Sequence, residues 1–123
     1  MTIEECYRQF GGDYNDVKKR LSSEGMIKKF ITRFPEDGSF SDLKTAMKEG
    51  SRERAFRAAH TMKGVCANLS LSRLQLSASR LTELLRPEAE EIPAGADAVF
   101  EEVRQDYELT VNAIRAFSDP DNQ

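Results

Sequence analysis

The stretch "AFRAAHTMKGVCANLS", Ala55 to Ser70, decides the fold because its apolar residues recur at helical spacing. At about 100° per residue, the side chains that share one side of this helix are Ala55, Ala59, Met62, Cys66 and Leu69. That side predicts a face buried against other helices. His60, the only histidine of the chain, lies roughly 130° from the centre of this face by the same arithmetic. We therefore expect His60 to point outward or to lie on the flank.

Helical periodicity continues on both sides of this stretch, and no segment shows a convincing strand-like alternation. The predicted fold is therefore all-α: an antiparallel four-helix bundle with extra short N-terminal helices, because short links favour antiparallel neighbours. The four main arms are predicted at 24–49 (broken near Pro35), 51–69, 71–86 and 96–118. The 123 residues are expected to form one helical domain, 1–123, with its core bundle at about 24–118.

Local signals predict where the helices of the first half begin and end. Thr2-x-x-Glu5 is a capping box that opens a short helix, which Gly11-Gly12 ends. Asp13 is predicted to cap a second short helix that ends near Ser22. These two pieces are expected to pack outside the bundle or to cap one end of it. The apolar positions at helical spacing in the first arm are Ile27, Phe30, Ile31, Phe34, Leu43, Ala46 and Met47.

The second half of the chain has two longer apolar faces. Ser51 is the predicted N-cap of the helix that carries His60, and Ser72-x-x-Gln75 predicts the start of the next helix. A near-heptad seam in that next helix, which requires partner helices, is formed by Leu71, Leu74, Ala78, Leu81 and Leu85. The face predicted for the last helix comprises Val99, Val103, Tyr107, Val111 or Thr110, Ile114 and Phe117. The polar tail, 118–123, is expected to fray.

The composition excludes several classes of function. The net charge of −3 argues against a general nucleic-acid binder, which needs a basic surface. No apolar run approaches the roughly 20 residues of a membrane helix, and the start "MTIEECYRQF" lacks the basic and apolar parts of a signal peptide. We therefore expect a cytoplasmic protein in which Cys6 and Cys66 are reduced thiols. Two cysteines and one histidine fall short of a structural zinc set, so no metal site is predicted.

The residues next to His60 favour a reactive histidine. Gly64 stands one turn later inside a helix, where glycine costs roughly 1 kcal/mol relative to alanine. A missing side chain there leaves room for another molecule to reach His60, although tight helix packing explains a glycine equally well. A neutral imidazole offers a nitrogen nucleophile, and Lys63 places a cation where a phosphoryl group would need one. Phosphoryl transfer depends mostly on such positioning and charge stabilisation.

The distribution of charge agrees with this interpretation. Residues 51–86 hold seven Lys/Arg and two Asp/Glu, whereas residues 87–123 hold two Lys/Arg and ten Asp/Glu. Residues 1–50 hold nine of each sign. The one basic region of an acidic chain is therefore expected to surround the histidine, which favours an acidic partner surface or a phosphoryl group.

At these residues the chain resembles the histidine-containing phosphotransfer (HPt) domains of bacterial two-component phosphorelays. The family pattern is His-x-x-Lys-Gly, followed by small residues and an Asn-Leu-Gly-like helix break, and it corresponds here to "HTMKGVCANLS" from His60 to Ser70. The resemblance is strong over 50–86, and the helical layout agrees over the remainder. One departure is Ser70, which stands where the family usually has glycine and bears on how the helix ends.

The resemblance implies a phosphorelay intermediate without kinase activity of its own, and the chain has no nucleotide-binding sequence such as a P-loop. His60 would accept a phosphoryl group from a receiver-domain phospho-aspartate and pass it to another receiver. Lys63 would stabilise the phosphate, and Gly64 would leave room for the receiver. The docking surface would include Arg57, Ala67 and Asn68.

The same resemblance also implies which partners and cofactors to expect. Partners would be response-regulator receiver domains and, as a further candidate, a hybrid histidine kinase, with the chain acting as a monomer. The magnesium ion of the reaction belongs to the receiver, so the resemblance implies no cofactor for this chain.

Other interpretations of these residues stay open at the level of sequence. A helical adaptor without chemistry, or a pseudo-HPt that docks receivers without being phosphorylated, would contain the same helices. Taken alone, Lys63 is typical of a solvated surface lysine, and Cys66 is typical of a small buried hydrophobic residue. The sequence assigns no role to Cys6. Leu76 falls off the leucine seam and would either pack against the N-terminal helices or form part of an apolar docking patch. A hydrolase is disfavoured because no nucleophile-elbow motif is present.

Overall fold

A computed structural model of the chain describes residues 1–118. Residues 119–123, which end the predicted domain and carry most of the predicted frayed tail, lie outside the described residues. The described part is helical and contains no strand, which confirms the predicted all-α class. Its elements are α1 (Ile3–Phe10), α2 (Tyr14–Arg20), α3 (Glu24–Arg33), a 3₁₀ turn (Phe34–Glu36), α4 (Ser39–Glu49), α5 (Arg52–Leu69), α6 (Ser72–Leu84) and α7 (Ala96–Ser118).

Several predicted helix ends are confirmed because they depend on local hydrogen bonds. The hydroxyl of Thr2 and the carboxylate of Asp13 accept N–H donors from the first turns of α1 and α2, each at 3.0 Å. The hydroxyl of Ser51 does the same for α5 at 3.3 Å. Gly11 and Gly50 end α1 and α4 in the left-handed conformation, with φ of +73° and +70°. Glycine adopts that conformation without the steric cost that a Cβ brings.

The predicted start of the next helix is confirmed, because α6 begins at Ser72, although Leu71 precedes it without a side-chain cap. The Ser72 hydroxyl instead donates to the Ser70 carbonyl at 3.5 Å. Phe30 shares helical spacing with buried Ile27 and Ile31, yet 37% of it is exposed. The neighbouring helices cover only part of the apolar face of α3 at that position.

The core face predicted for α5 is confirmed in full, since each of its five members is buried. α5 packs against both α4 and α6, and α6 packs against α7. The whole leucine seam of α6 is buried as well. Burial raises the pKa of the Cys66 thiol to about 12, which fits its prediction as a small core residue. The helix that carries His60 is therefore held from two sides and free along its outer face.

The N-terminal helices pack against α7 and against the end of α5. α1 packs against α7 and buries Ile3, Cys6, Tyr7 and Phe10. The Cys6 thiol, whose pKa burial raises to about 11, lies 3.6 Å from the Ala113 carbonyl oxygen. For α1, packing against α7 agrees with the first alternative, in which the N-terminal pieces pack outside the bundle. Residues of α1 and α2 also cap one end of α5, which is the second alternative.

Ser70 ends α5 in the left-handed conformation, with a φ of +55°. A glycine would adopt this conformation without strain, whereas a Cβ there costs about 1–2 kcal/mol. The N-terminal segment compensates with several bonds. The Ser70 hydroxyl donates to Asp16 at 2.7 Å and accepts from the Arg20 guanidinium, which also pairs with Asp16. The Ser70 carbonyl accepts from the Asp13 N–H at 2.9 Å, and the Tyr7 hydroxyl donates to the Leu69 carbonyl at 2.7 Å.

This cap predicts coupling between Arg20 and Ser70. Arg20→Ala is expected to lower the free energy of unfolding in the wild-type background, because the buried hydroxyl loses a charged donor. The loss should be smaller in a Ser70→Gly background, in which the hydroxyl is absent and the left-handed strain is relieved. A double-mutant cycle in urea should give a coupling of about 0.5 kcal/mol or more. Additive effects of the two substitutions would contradict this account of the helix end.

Candidate functional site

α5 presents His60 to solvent from the middle of its outer face. The two residues that flank it on the inner side, Ala59 and Met62, are fully buried, whereas His60 is exposed. The prediction that His60 points outward is confirmed. Because the helix is capped at both ends and packed on two sides, its backbone is held in place at this position, whereas the side chain is open to solvent.

The imidazole of His60 has few partners. Within residues 1–118, its one ring pairing is with Phe56, whose centroid lies 5.9 Å away with the planes at 48°. No group in that part of the chain forms a hydrogen bond to either ring nitrogen. A neutral imidazole with a nitrogen that faces water has a lone pair available for attack on phosphorus. The geometry therefore suits a nucleophile that a second molecule approaches.

Gly64 leaves the space next to this ring empty. In a helix, long side chains lean back over the turn that precedes them, so a side chain at 64 would lie over His60. A Cβ built on Gly64 meets no atom within 4 Å, and the residue is exposed. Of the two explanations that the sequence left open, tight helix packing is thereby wrong, because no other helix comes close. Gly64 is therefore not required for a packing contact between helices in the described fold.

Lys63 lies between the core face and the outer face of α5 and is half-buried. A lysine three residues after His60 directs its side chain back toward the histidine's turn. No carboxylate of residues 1–118 forms an ion pair with it. The carboxylate of Glu83 on α6 accepts two hydrogen bonds of 2.8 Å from Arg86. These bonds and, to a smaller extent, the charge of Lys63 lower the pKa of the Glu83 carboxyl. The ammonium of Lys63 is thus available to an incoming anion.

The predicted basic surround of His60 needs correction. Arg57 is exposed one turn before the histidine, but it pairs with Glu53 on the same helix. The other arginines of 51–86 that form ion pairs with carboxylates are Arg54, Arg80 and Arg86. Arg73 lies next to Gly11, at the end of the molecule where α1 and α5 meet. The positive charge counted along the sequence is therefore partly neutralised, and Lys63, three residues after His60, forms no ion pair with a carboxylate of residues 1–118.

Ala67 and Asn68 occupy the next turn of α5, as the sequence predicts. Ala67 is half-buried, and its short side chain leaves both Lys63 and Gly64 uncovered. Asn68 is exposed, and its backbone carbonyl accepts from the Arg20 guanidinium at 3.3 Å. It borders an apolar groove of about 240 Å³ between α3 and α5, whose further lining residues are Phe30, Arg33, Phe34, Asp37, Val65 and Leu69. No local sequence signal predicts this groove, because its lining residues come from separate elements.

A second cleft flanks the N-terminal half of α5. It measures about 400 Å³ and is lined by Asp37, Gly38, Ser39, Asp42, Arg54, Arg57, Ala58 and Thr61. Both depressions open beside the outer face that carries His60, since residue 61 lines one and residue 65 the other. Leu76 on α6 is 62% exposed, so its packing against the N-terminal helices is excluded and it belongs to the surface.

Two other features are absent from the described residues. Within 1–118, no three His, Cys, Asp or Glu side chains are grouped closely enough to hold a metal ion. In the same range, no helix has the length and apolar character needed to cross a membrane.

Comparison with known proteins gives one match. A family model described as "Hpt domain" matches residues 25–116, which is well over half of the chain. The matched region contains His60 and everything from α4 to α6, whereas α1 and α2 precede it. A search of curated proteins and a search of solved structures each gave no match.

Proposed function

The chain belongs to the Hpt domain family, whose members are phosphotransfer modules of two-component signalling rather than kinases, and we propose that it is a phosphorelay intermediate phosphorylated on His60. The observation that carries the proposal is an exposed imidazole with both nitrogens unpaired within 1–118, beside the bare backbone of Gly64. In this function, His60 takes a phosphoryl group from the phospho-aspartate of one receiver domain. It then gives that group to the aspartate of another.

The transfer step requires no redox chemistry and no additional reactant. The lone pair of one ring nitrogen forms a bond to phosphorus while the bond between phosphorus and the aspartyl oxygen breaks. Aspartate leaves as a carboxylate, and the proton on the second ring nitrogen stays on the ring. Return of the phosphoryl group to a second aspartate is the reverse reaction. Catalysis then depends on positioning and on the charge near the transferred group.

The other site residues have distinct proposed roles. Lys63 balances the negative charge of the phosphoryl group, and Gly64 admits the receiver to the ring. The docking surface around them includes Arg57, Ala67 and Asn68. Magnesium would be supplied by the receiver, as the family resemblance implies, and the described residues offer no carboxylate cluster to hold it.

The proposal extends to architecture and setting. We propose that α3–α4, α5, α6 and α7 form the antiparallel four-helix bundle, in one domain that spans 1–123. The contacts of α5 with α4 and α6, and of α6 with α7, support this arrangement. The proposed partners are receiver domains and, as a further candidate, a hybrid histidine kinase. We propose that the protein binds them as a monomer in the cytoplasm.

Phosphorylation by phosphoramidate tests the proposal directly. This small donor reaches an accessible histidine without docking, so an acid-labile phosphoryl adduct in the intact mass spectrum is expected. The loaded protein should then phosphorylate isolated receiver domains. A folded protein that forms no adduct but binds receivers would overturn the proposal in favour of a docking module without chemistry.

Lys63→Ala should slow transfer between His60 and a receiver by about tenfold, because a charged hydrogen bond to a phosphoryl oxygen is lost. The fold should be preserved, because Lys63 has no ion pair within the described chain. Lys44→Ala, on the exposed side of α4, is a matched control for the loss of one positive charge and should transfer at the wild-type rate. Equal rates for both variants would remove Lys63 from the transfer step.

A further inference from the structure

Phe56 stands one helical turn before His60, and its ring faces the imidazole at a centroid distance of 5.9 Å. From this geometry we propose that Phe56 is a positioning residue that orders the imidazole for phosphoryl transfer. The inference rests on the function proposed above and deepens it, because it assigns a role to a residue outside the His-x-x-Lys-Gly pattern.

The two rings differ in how firmly they are held. Phe56 is half-buried and packs against the core cluster, so its side chain is anchored. His60 is exposed, and an unrestrained imidazole at a helix surface samples several rotamers. Residues four apart on a helix are neighbours, and the later side chain leans back over the earlier one. Phe56 thus provides a fixed apolar surface against which the imidazole rests.

Most reactive histidines are oriented by a hydrogen bond from the second ring nitrogen to a carbonyl or a carboxylate. Residues 1–118 provide no such partner to His60. The tilted arrangement of the two rings, at 48°, is a favourable geometry for an aromatic pair. The aromatic contact therefore takes over the orienting role that a hydrogen bond has elsewhere, and it leaves both nitrogens free of protein partners.

The surroundings also define the side from which phosphorus can approach. Phe56 lies next to the imidazole one turn toward the N-terminus of α5, whereas Gly64, one turn toward the C-terminus, carries no side chain. A ring held against Phe56 presents its free edge to that opening. Pre-ordering the nucleophile in this way raises the fraction of encounters that are productive.

Phe56→Leu is the test variant, because leucine keeps an apolar side chain against the core and removes the aromatic face. Phe56→Tyr restores the ring. Phe40→Leu is the matched control, since Phe40 is also half-buried and ring-paired, but with Phe100 and Tyr107. Phosphorylation by phosphoramidate is the rate measured, because this donor needs no docking. In this step the ring nitrogen bonds to phosphorus, and ammonia leaves with the protons that its nitrogen carries.

Phe56→Leu is expected to be phosphorylated about two- to tenfold more slowly, with Phe56→Tyr and Phe40→Leu near the wild-type rate. NMR gives a second readout that general destabilisation would not produce. The His60 ring protons should lose their ring-current shift in Phe56→Leu, and the side-chain couplings should change from one rotamer toward an average.

The outcomes separate this inference from the proposed function. If the wild type is phosphorylated and Phe56→Leu matches it in rate and in His60 couplings, the positioning role is overturned and the proposed function stands. If the wild type forms no adduct, the proposed function is overturned, and the positioning role, which rests on it, falls with it. A slower Phe56→Leu that also loses the single rotamer, with rescue by Phe56→Tyr, supports the inference.

Discussion

His60→Gln is expected to abolish phosphoryl uptake completely and to leave the fold unchanged. Glutamine occupies a similar length of side chain, but its amide nitrogen has no available lone pair and does not attack phosphorus. His60 is exposed and has no hydrogen-bond partner within residues 1–118, so its removal leaves no buried group unsatisfied. Substitutions at such surface positions change the free energy of unfolding by about 0.5 kcal/mol or less.

Intact mass after treatment with phosphoramidate measures the loss, and circular dichroism with urea unfolding measures the fold. Because His60 is the only histidine of the chain, the variant should show no acid-labile adduct at all. An adduct of wild-type yield on His60→Gln would place the phosphoryl group on another nitrogen, such as a lysine, and would contradict the assignment. A large loss of helicity would contradict the exposed placement of the side chain.

The same variant distinguishes docking from chemistry. Its affinity for a receiver domain should stay within a few-fold of the wild type, because the predicted docking residues Arg57, Ala67 and Asn68 are unchanged. A receiver that binds His60→Gln but neither gives nor takes a phosphoryl group would assign the two activities to separate residues of one helix face.

The parts of this fold that could be predicted from sequence are those that short-range physics decides. The caps at Thr2, Asp13 and Ser51 follow from hydrogen bonds that span three residues, and the buried face of α5 follows from the period of the helix. The outward direction of His60 is a consequence of the same period. Each of these predictions needed only the residue and its near neighbours.

The parts that could not be predicted depend on residues far apart in the chain. The left-handed Ser70 is stabilised by Asp16 and Arg20, which lie 54 and 50 residues earlier. No sequence pattern near Ser70 predicts these contacts. A count of charges along the sequence also does not predict which arginines of residues 51–86 form ion pairs with carboxylates. The role proposed for Phe56 could not be predicted for a different reason. Phe56 lies outside the core face of α5 and outside the His-x-x-Lys-Gly pattern, although its spacing of four residues from His60 was a usable signal.

Gly64→Leu is expected to slow transfer between His60 and a receiver by about a hundredfold while making the helix more stable. A leucine at 64 leans back over the imidazole and occupies the space through which the receiver's aspartate must reach the ring. A displacement of about 1 Å between reacting groups costs about a hundredfold in rate. In contrast, no atom lies within 4 Å of a Cβ at this position, so the fold loses nothing and gains roughly 0.8 kcal/mol of helix propensity.

Gly64→Ala is the matched control that separates access from stability. Alanine supplies a similar, slightly larger gain in helix propensity, about 1 kcal/mol, but adds only a Cβ to the approach path. The transfer rate should therefore fall in the order wild type, Gly64→Ala, Gly64→Leu, whereas both variants should unfold at higher urea than the wild type. Wild-type transfer in Gly64→Leu would mean that the receiver reaches the ring from another side. Slower transfer in two variants that are both more stable than the wild type, by contrast, is what a glycine kept for access and not for packing must produce.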